Sequence, residues 1–154
     1  MSLPDPLLHF RALVAALSVR LNVPLDPGDG MLVLVDDSGG LRMVIELSAD
    51  LNSLFVVLPV IPFPDDEKRL GELALEVLLL NADRHALSDA SLCGDAHRSE
   101  FCLVKRLMLD IAPASFLEEL DSLSSLAGMV SEYLLEREAD TSYTGSGFAA
   151  LSKV

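Results

Sequence analysis

Residues 31–47 read MLVLVDDSGGLRMVIEL, two apolar runs separated by turn-forming residues. Asp37-Ser38-Gly39-Gly40 supplies the chain reversal, so Met31–Asp36 and Leu41–Leu47 are expected to form a β-hairpin. A turn centred between Ser38 and Gly39 pairs Leu34 with Met43 and Leu32 with Ile45. Cross-strand partners share a face, so these four line one side of the ribbon. Met31, Val33, Val35, Arg42, Val44 and Glu46 line the other. The first side is the core candidate, because the second carries Arg42 and Glu46. Yet the second side still presents Met31, Val33, Val35 and Val44. A lone Gly-Gly between strands does not make a phosphate cradle.

Upstream, Leu7, Phe10, Val14, Leu17 and Leu21 recur at helical spacing and predict a helix from about Pro4 to Leu21. Asp5 is its expected N-cap with Pro6 at the first helical position, and Asn22 and Pro24 end it. Downstream, Leu54 to about Val60 is a strand apolar on both sides of its pleat, closed by Pro62 and Pro64. Asp65-Asp66-Glu67 then place negative charge at the positive end of a second helix, roughly Asp66 to Ala82. A second hairpin follows, with strands near Ala86–Cys93 and Phe101–Leu109 joined through residues 94–99. Pro113 opens a third helix whose Phe116, Leu120, Leu123, Ala127, Val130 and Leu134 alternate four and three apart. The order α-β-β-β-α-β-β-α predicts an α+β domain: a twisted, mostly antiparallel five-stranded sheet packed by helices. One domain is expected over residues 1–138, with 139–154 a loose C-terminal tail.

The chain has 154 residues, 51% of them hydrophobic, and carries a net charge of −13 from 24 acidic against 11 basic side chains. That balance argues against nucleic acid, which needs a clustered basic surface. No apolar run approaches the roughly eighteen residues a membrane span requires, so no membrane insertion is expected. The N-terminus lacks the positive segment of a secretory signal, and two cysteines fit a reducing compartment; the expected location is cytoplasmic.

Catalytic patterns are weak. Cys93, Cys102, His85 and His97 would have to converge for a metal site, but eight residues between the cysteines match no usual zinc spacing. His9, His85 and His97 sit at predicted helix ends or turns, where a solvated surface histidine is the expectation. Neither cysteine lies at a helix N-terminus that would stabilise a thiolate. No G-x-S-x-G occurs. Asp36-Asp37 and Asp65-Asp66-Glu67 have sufficient structural reasons to be in a turn and at a helix start. The sequence therefore predicts no enzyme, no cofactor and no metal.

What remains is apolar surface beyond what one core needs. In the second helix Leu70, Leu73, Ala74, Val77 and Leu80 form a core stripe, and Leu75, Leu78 and Leu79 point largely away from it. In the first helix Leu8, Ala12 and Val19 lie off the main stripe. The third strand places Leu54, Val56 and Leu58 on one face and Phe55 and Val57 on the other. Such a surplus is covered by a second copy, by another chain's apolar segment, or by helices on both sides of the sheet. A ligand-binding domain with a buried apolar pocket, or a regulatory adaptor, are the alternative readings.

Several local patterns carry a family resemblance. The first helix closes on Leu21-Asn22-Val23-Pro24-Leu25, and the hairpin turns through Asp37-Ser38-Gly39-Gly40. The middle helix ends Leu75-Glu76-Val77-Leu78-Leu79-Leu80-Asn81, and Phe101-Cys102-Leu103-Val104 leads through Leu107-Met108-Leu109-Asp110 into the last helix. Over roughly residues 4–137 this resembles the class I chaperones of bacterial type III secretion, the Tir-chaperone or CesT-like family. Asn22 stands where the family usually has glycine, and Leu87-Ser88-Asp89-Ala90 has no glycine at the start of the fourth strand, where members often carry glycine or another small residue. The resemblance implies a homodimer that binds the N-terminal region of a secreted effector in extended form and presents it to the secretion apparatus. Leu75, Leu78 and Leu79 would then be the dimer interface. Leu8, Ala12, Met31, Val33, Val35, Val44, Leu54, Val56 and Leu58 are the candidate effector-binding residues.

Overall fold

The computed structural model describes residues 5–83 and 85–140. The elements are α1 (Pro6–Leu21), β1 (Met31–Val35), β2 (Leu41–Leu47), β3 (Ser53–Pro62), α2 (Glu67–Ala82), β4 (Ser91–Asp95), β5 (Glu100–Met108) and α3 (Pro113–Asp140). The strands form one antiparallel sheet in the order β1-β2-β3-β5-β4. The α+β class and the element order match the expectation. Of the expected tail, Ala139 and Asp140 continue α3, and residues 141–154 lie outside the described residues.

Local chemistry sets the element ends. The Asp5 carboxylate accepts from the Leu7 N–H, and Asn22 closes α1 in the left-handed conformation at φ 53° and ψ 39°. Asp66 caps α2 by accepting from the Arg69 N–H at 2.8 Å. In the β1–β2 turn the Asp36 carboxylate accepts from the N–H groups of Ser38 (2.9 Å) and Gly40 (2.8 Å). A Cβ at position 40 would lie 2.9 Å from that carboxylate, so any other residue there would push the Asp36 side chain out of these bonds. These bonds hold the Asp36 carboxyl below its ordinary pKa, the Ser38 side chain contributing most.

The hairpin register is the expected one: Leu32 faces Ile45 and Leu34 faces Met43. Leu32, Met43 and Ile45 are buried with Leu47, and the row continues through Leu54, Val56 and Leu58 of β3 into Leu103 and Leu107 of β5. Helix α3 lies over this face. The Lys105 ammonium, cross-strand from Val56, meets the Glu119 carboxylate of α3 at 2.8 Å. Helix α1 adds Phe10, Leu13, Val14 and Leu17 to the same core, and an Arg20–Asp121 ion pair ties it to α3. Each such fully buried side chain contributes about 1.5–3 kcal/mol.

Two expectations are corrected. Leu54, Val56 and Leu58, taken as candidate effector-binding residues, are core residues exposed by no more than 4%. Their register with β2 and β5 turns them toward the helices and leaves Phe55 and Val57 outward. The fourth strand starts at Ser91, not Ala86. Residues 86–90 are turns, with Ala86 and Ala90 N–H groups donating to Asp83 and Leu87 carbonyls, and Ser88 and Asp89 at positive φ.

Helix α2 runs beside the outer edge of β4. The Asn81 carboxamide donates to the Leu92 carbonyl at 2.9 Å and accepts from the Leu92 N–H at 2.8 Å. Both polar groups of that edge residue are thereby satisfied by one side chain standing in for a sixth strand. Tyr133 of α3 donates to the Glu76 carboxylate at 3.0 Å and fixes α2 from the other side.

Candidate protein-docking surface

Because cross-strand partners share a face, the register defines the sheet surface opposite the helices. Val33, Val44, Val57 and Val104 form one row across β1, β2, β3 and β5. Beside it runs a second row of Met31, Glu46, Phe55 and Arg106. Met31, Val33, Val35, Phe55 and Met108 are exposed, and Val44, Val57 and Val104 are half-buried among their neighbours. Among the described residues this is a bare apolar sheet face, framed by the charges of Glu46 and Arg106. Beta-branched valines at successive positions across four strands make a continuous row of side chains with few rotamers. On the β1 edge, no hydrogen bond from another element reaches the strand among the described residues.

The structure divides the predicted effector-binding set three ways. Met31, Val33 and Val44 lie together on the bare face, while Val35 is exposed beyond a register shift and pairs with Leu41. Leu54, Val56 and Leu58 are inside the core on its other side. Leu8 and Ala12 are exposed on the outward side of α1, in a stripe with Ala15 and Val19 at helical spacing. The α1 stripe and the sheet face are thus on opposite sides of the molecule. Phe55, Val57 and Val104 belong to the bare face and were absent from the predicted set; the alternation of β3 placed Phe55 and Val57 together but not on this side. The predicted dimer residues Leu75, Leu78 and Leu79 of α2 are 48%, 65% and 57% exposed, while Leu73 and Val77 are buried.

Polar chemistry near this face is structural. Asp95, Glu100 and Cys102 bring ligand atoms within 4.8 Å of one another. Arg98 lies 3.8 Å from each carboxylate, and the buried Cys102 thiol points at Glu100. Burial, reinforced by the Glu100 charge, pushes that thiol up to about 12, so it stays protonated and is a poor nucleophile. His9 departs from the solvated histidine expected, since its Nε2 is buried without a hydrogen-bond partner among the described residues. His85 and His97 are exposed. Among the described residues no helix is long and apolar enough to cross a membrane.

This arrangement of helices and strands recurs in solved proteins. The chain superposes on a chain of the ExsC–ExsE complex with a TM-score of 0.64 at 19% identity, covering 80% of this chain and 91% of that one. The HopA1–SchA chaperone–effector complex gives 0.60 at 14% identity, covering 78% and 91%. The Yersinia pestis type III secretion chaperone SycH, solved with a fragment of YscM2, gives 0.52 at 12% identity, covering 77% and 99%. The fold is that of the type III secretion chaperones. No family model matches the sequence, and no curated protein matches it either. At these identities the secretion-chaperone fold is carried by the apolar pattern and the element order. Individual side chains have largely diverged beneath it.

Proposed function

We propose that this chain is a cytoplasmic chaperone of type III secretion. In this reading it holds the N-terminal segment of a secreted effector in extended form, keeps it soluble and presents it to the secretion apparatus. The observation that carries the reading is the bare valine face beside the open β1 edge, on a fold shared with solved chaperone–effector complexes. An extended segment can bond to the open edge through its backbone while alternate side chains rest on the platform. The exposed leucines of α2 support a second role for that helix, pairing with a second copy. The net charge of −13 keeps a protein with this much apolar surface soluble. Neither catalysis nor a cofactor enters the reading.

Light scattering after size exclusion is expected to give twice 16.6 kDa, and Leu78→Asp with Leu79→Asp should give the monomer. Co-expression with the N-terminal region of an effector encoded nearby should yield a soluble complex. The double variant Val33→Asp with Val44→Asp should lose that complex while remaining folded. Capture undiminished by the double variant would remove the sheet face from the reading. A stable wild-type monomer at micromolar concentration would remove the dimer.

A further inference from the structure

In the row Met31, Glu46, Phe55, Arg106 a carboxylate and a guanidinium stand on the two strands that flank Phe55. Neighbouring strands lie about 4.8 Å apart, so the two opposite charges are equally far from β3. The next row repeats the symmetry with apolar groups, Val44 and Val104 standing on either side of Val57. A two-fold rotation about an axis along β3, in the plane of the face, exchanges β2 with β5. Laid on a second copy through that axis, the face sets Glu46 against Arg106 of the other copy and Val44 against Val104. Phe55 and Val57 each meet their own equivalent. Across β2, β3 and β5 each charge in these two rows therefore finds its opposite, and each apolar group finds another. That self-complementarity is what an isologous contact requires of a surface.

Two further observations favour a second copy on this face. The chain carries a net charge of −13, whereas these two rows hold one charge of each sign. Copies that repel over the rest of their surface meet no net repulsion here. The guanidinium is also held in place by its own chain. Arg106 Nε donates to Ser53 Oγ at 2.8 Å, and its Nη2 donates to Asp50 at 3.3 Å. Ser53 Oγ in turn donates to Ser48 Oγ at 3.0 Å, and Ser48 Oγ donates to Asp50. This knot in the β2–β3 connection leaves the Arg106 side chain 54% exposed, so a carboxylate from outside meets donors whose positions are already fixed.

We propose that the bare face covers itself: two copies pair sheet to sheet about a two-fold axis along β3, with Glu46–Arg106 ion pairs flanking a centre of Phe55, Val44, Val57 and Val104. This contact is separate from the leucines of α2. Sheets packed in this way sit about 10 Å apart with their strands within about 30° of one another. The paired area is small. Four strands about 4.8 Å apart, over five residues about 3.3 Å apart, span roughly 300 Å². A stable complex buries about 800 Å² per partner, so this pair forms at high concentration and comes apart readily. A second copy and a client segment are then exclusive occupants of one surface. The pairing itself does not need the chaperone reading, but its role as a cover for the client-free protein rests on that reading.

Sedimentation equilibrium of the full chain carrying Leu78→Asp and Leu79→Asp isolates this contact from pairing through α2. The mean mass is expected to be 16.6 kDa at micromolar concentration and to rise toward twice that value near millimolar. Adding Glu46→Arg sets like charges against each other and should weaken the association at least about tenfold. Glu46 is exposed, so the thermal midpoint should not move. Phe55→Ala should weaken the association without changing a charge. An equimolar mixture of Glu46→Arg and Arg106→Glu chains should associate again, because each copy then supplies the charge the other needs. If Arg106→Glu does not fold for want of its knot, the losses at Glu46 and Phe55 decide. No rise in mass, a rise undiminished by Glu46→Arg, or a folded mixture that stays apart overturns the pairing. A captured effector segment that leaves the association intact overturns its role as a cover. If a segment is captured but the mass never rises, the pairing falls and the chaperone reading stands. If the mass rises and Glu46→Arg abolishes the rise, yet no segment is captured, the pairing stands and the chaperone reading falls.

Discussion

Leu54, Val56 and Leu58 differ little in chemistry from their neighbours Phe55 and Val57, yet the two sets meet opposite fates. The first is sealed beneath α3; the second opens on the side that carries no helix among the described residues. The edges of the sheet differ in the same way. Asn81 satisfies both backbone groups of Leu92 on the β4 edge, and nothing equivalent reaches β1 among the described residues. Apolar surface thus serves folding where the molecule supplies its own cover. Where cover is missing, it is available to a partner.

The contrast is broken most directly on β3 itself. Leu54→Ala should destabilise by about 2–5 kcal/mol in urea unfolding, from lost transfer energy and the cavity left behind. Phe55→Ala, one residue along, should cost less than about 1.5 kcal/mol, because most of what it removes is already partly wet. Equal losses would erase the distinction between the faces. At the capped edge, Asn81→Ala should cost about 1–3 kcal/mol, since it leaves two backbone groups of Leu92 without their partner. An unchanged midpoint would mean that water serves Leu92 as well as Asn81 does.

Acid should act on the two turns that bracket the open side of the sheet. Asp50 is held below its ordinary value of 3.8 mainly by the Ser48 hydroxyl, with the Asn52 N–H and Arg106 adding to it. Asp36 is lowered for similar reasons. Each carboxylate therefore binds its proton less readily folded than unfolded. The stability it contributes is present above 3.8 and is lost as pH falls through the depressed folded value. Asp50→Asn should flatten the acid limb of a urea-midpoint profile, and a limb of unchanged slope would show that the knot carries no charge-dependent stability. The smallest contrast is between the two cysteines. Cys93 is exposed and Cys102 buried with its thiol pushed up to about 12. A disulfide reagent at mildly alkaline pH should titrate one thiol in the native protein and both after unfolding; prompt reaction of both would contradict the burial of Cys102.

Much of the architecture could be read from local signals. Asp5, Asn22 and Asp66 announced helix ends because capping is a matter of a few adjacent atoms. The register of the first hairpin followed from its turn, since chain connectivity fixes the pairing. The fourth strand was misplaced because Ala86–Ala90 has strand-like apolar spacing, but turn bonds and left-handed Ser88 and Asp89 hold it in another shape. The outward sheet face was half legible: Met31, Val33 and Val44 were placed on it, and the β3 residues were inverted.

The sequence by itself determined the element order, the helix caps, the first hairpin and the presence of more apolar surface than one core can hide. Each rests on contacts between residues close in the chain or on composition. Only the tertiary structure decided which side of β3 is bare, that Asn81 seals one edge, and that Glu46 and Arg106 flank Phe55 in one row. Those depend on which distant segments meet, and a strand apolar on both faces carries no pattern that says which face the helices will choose.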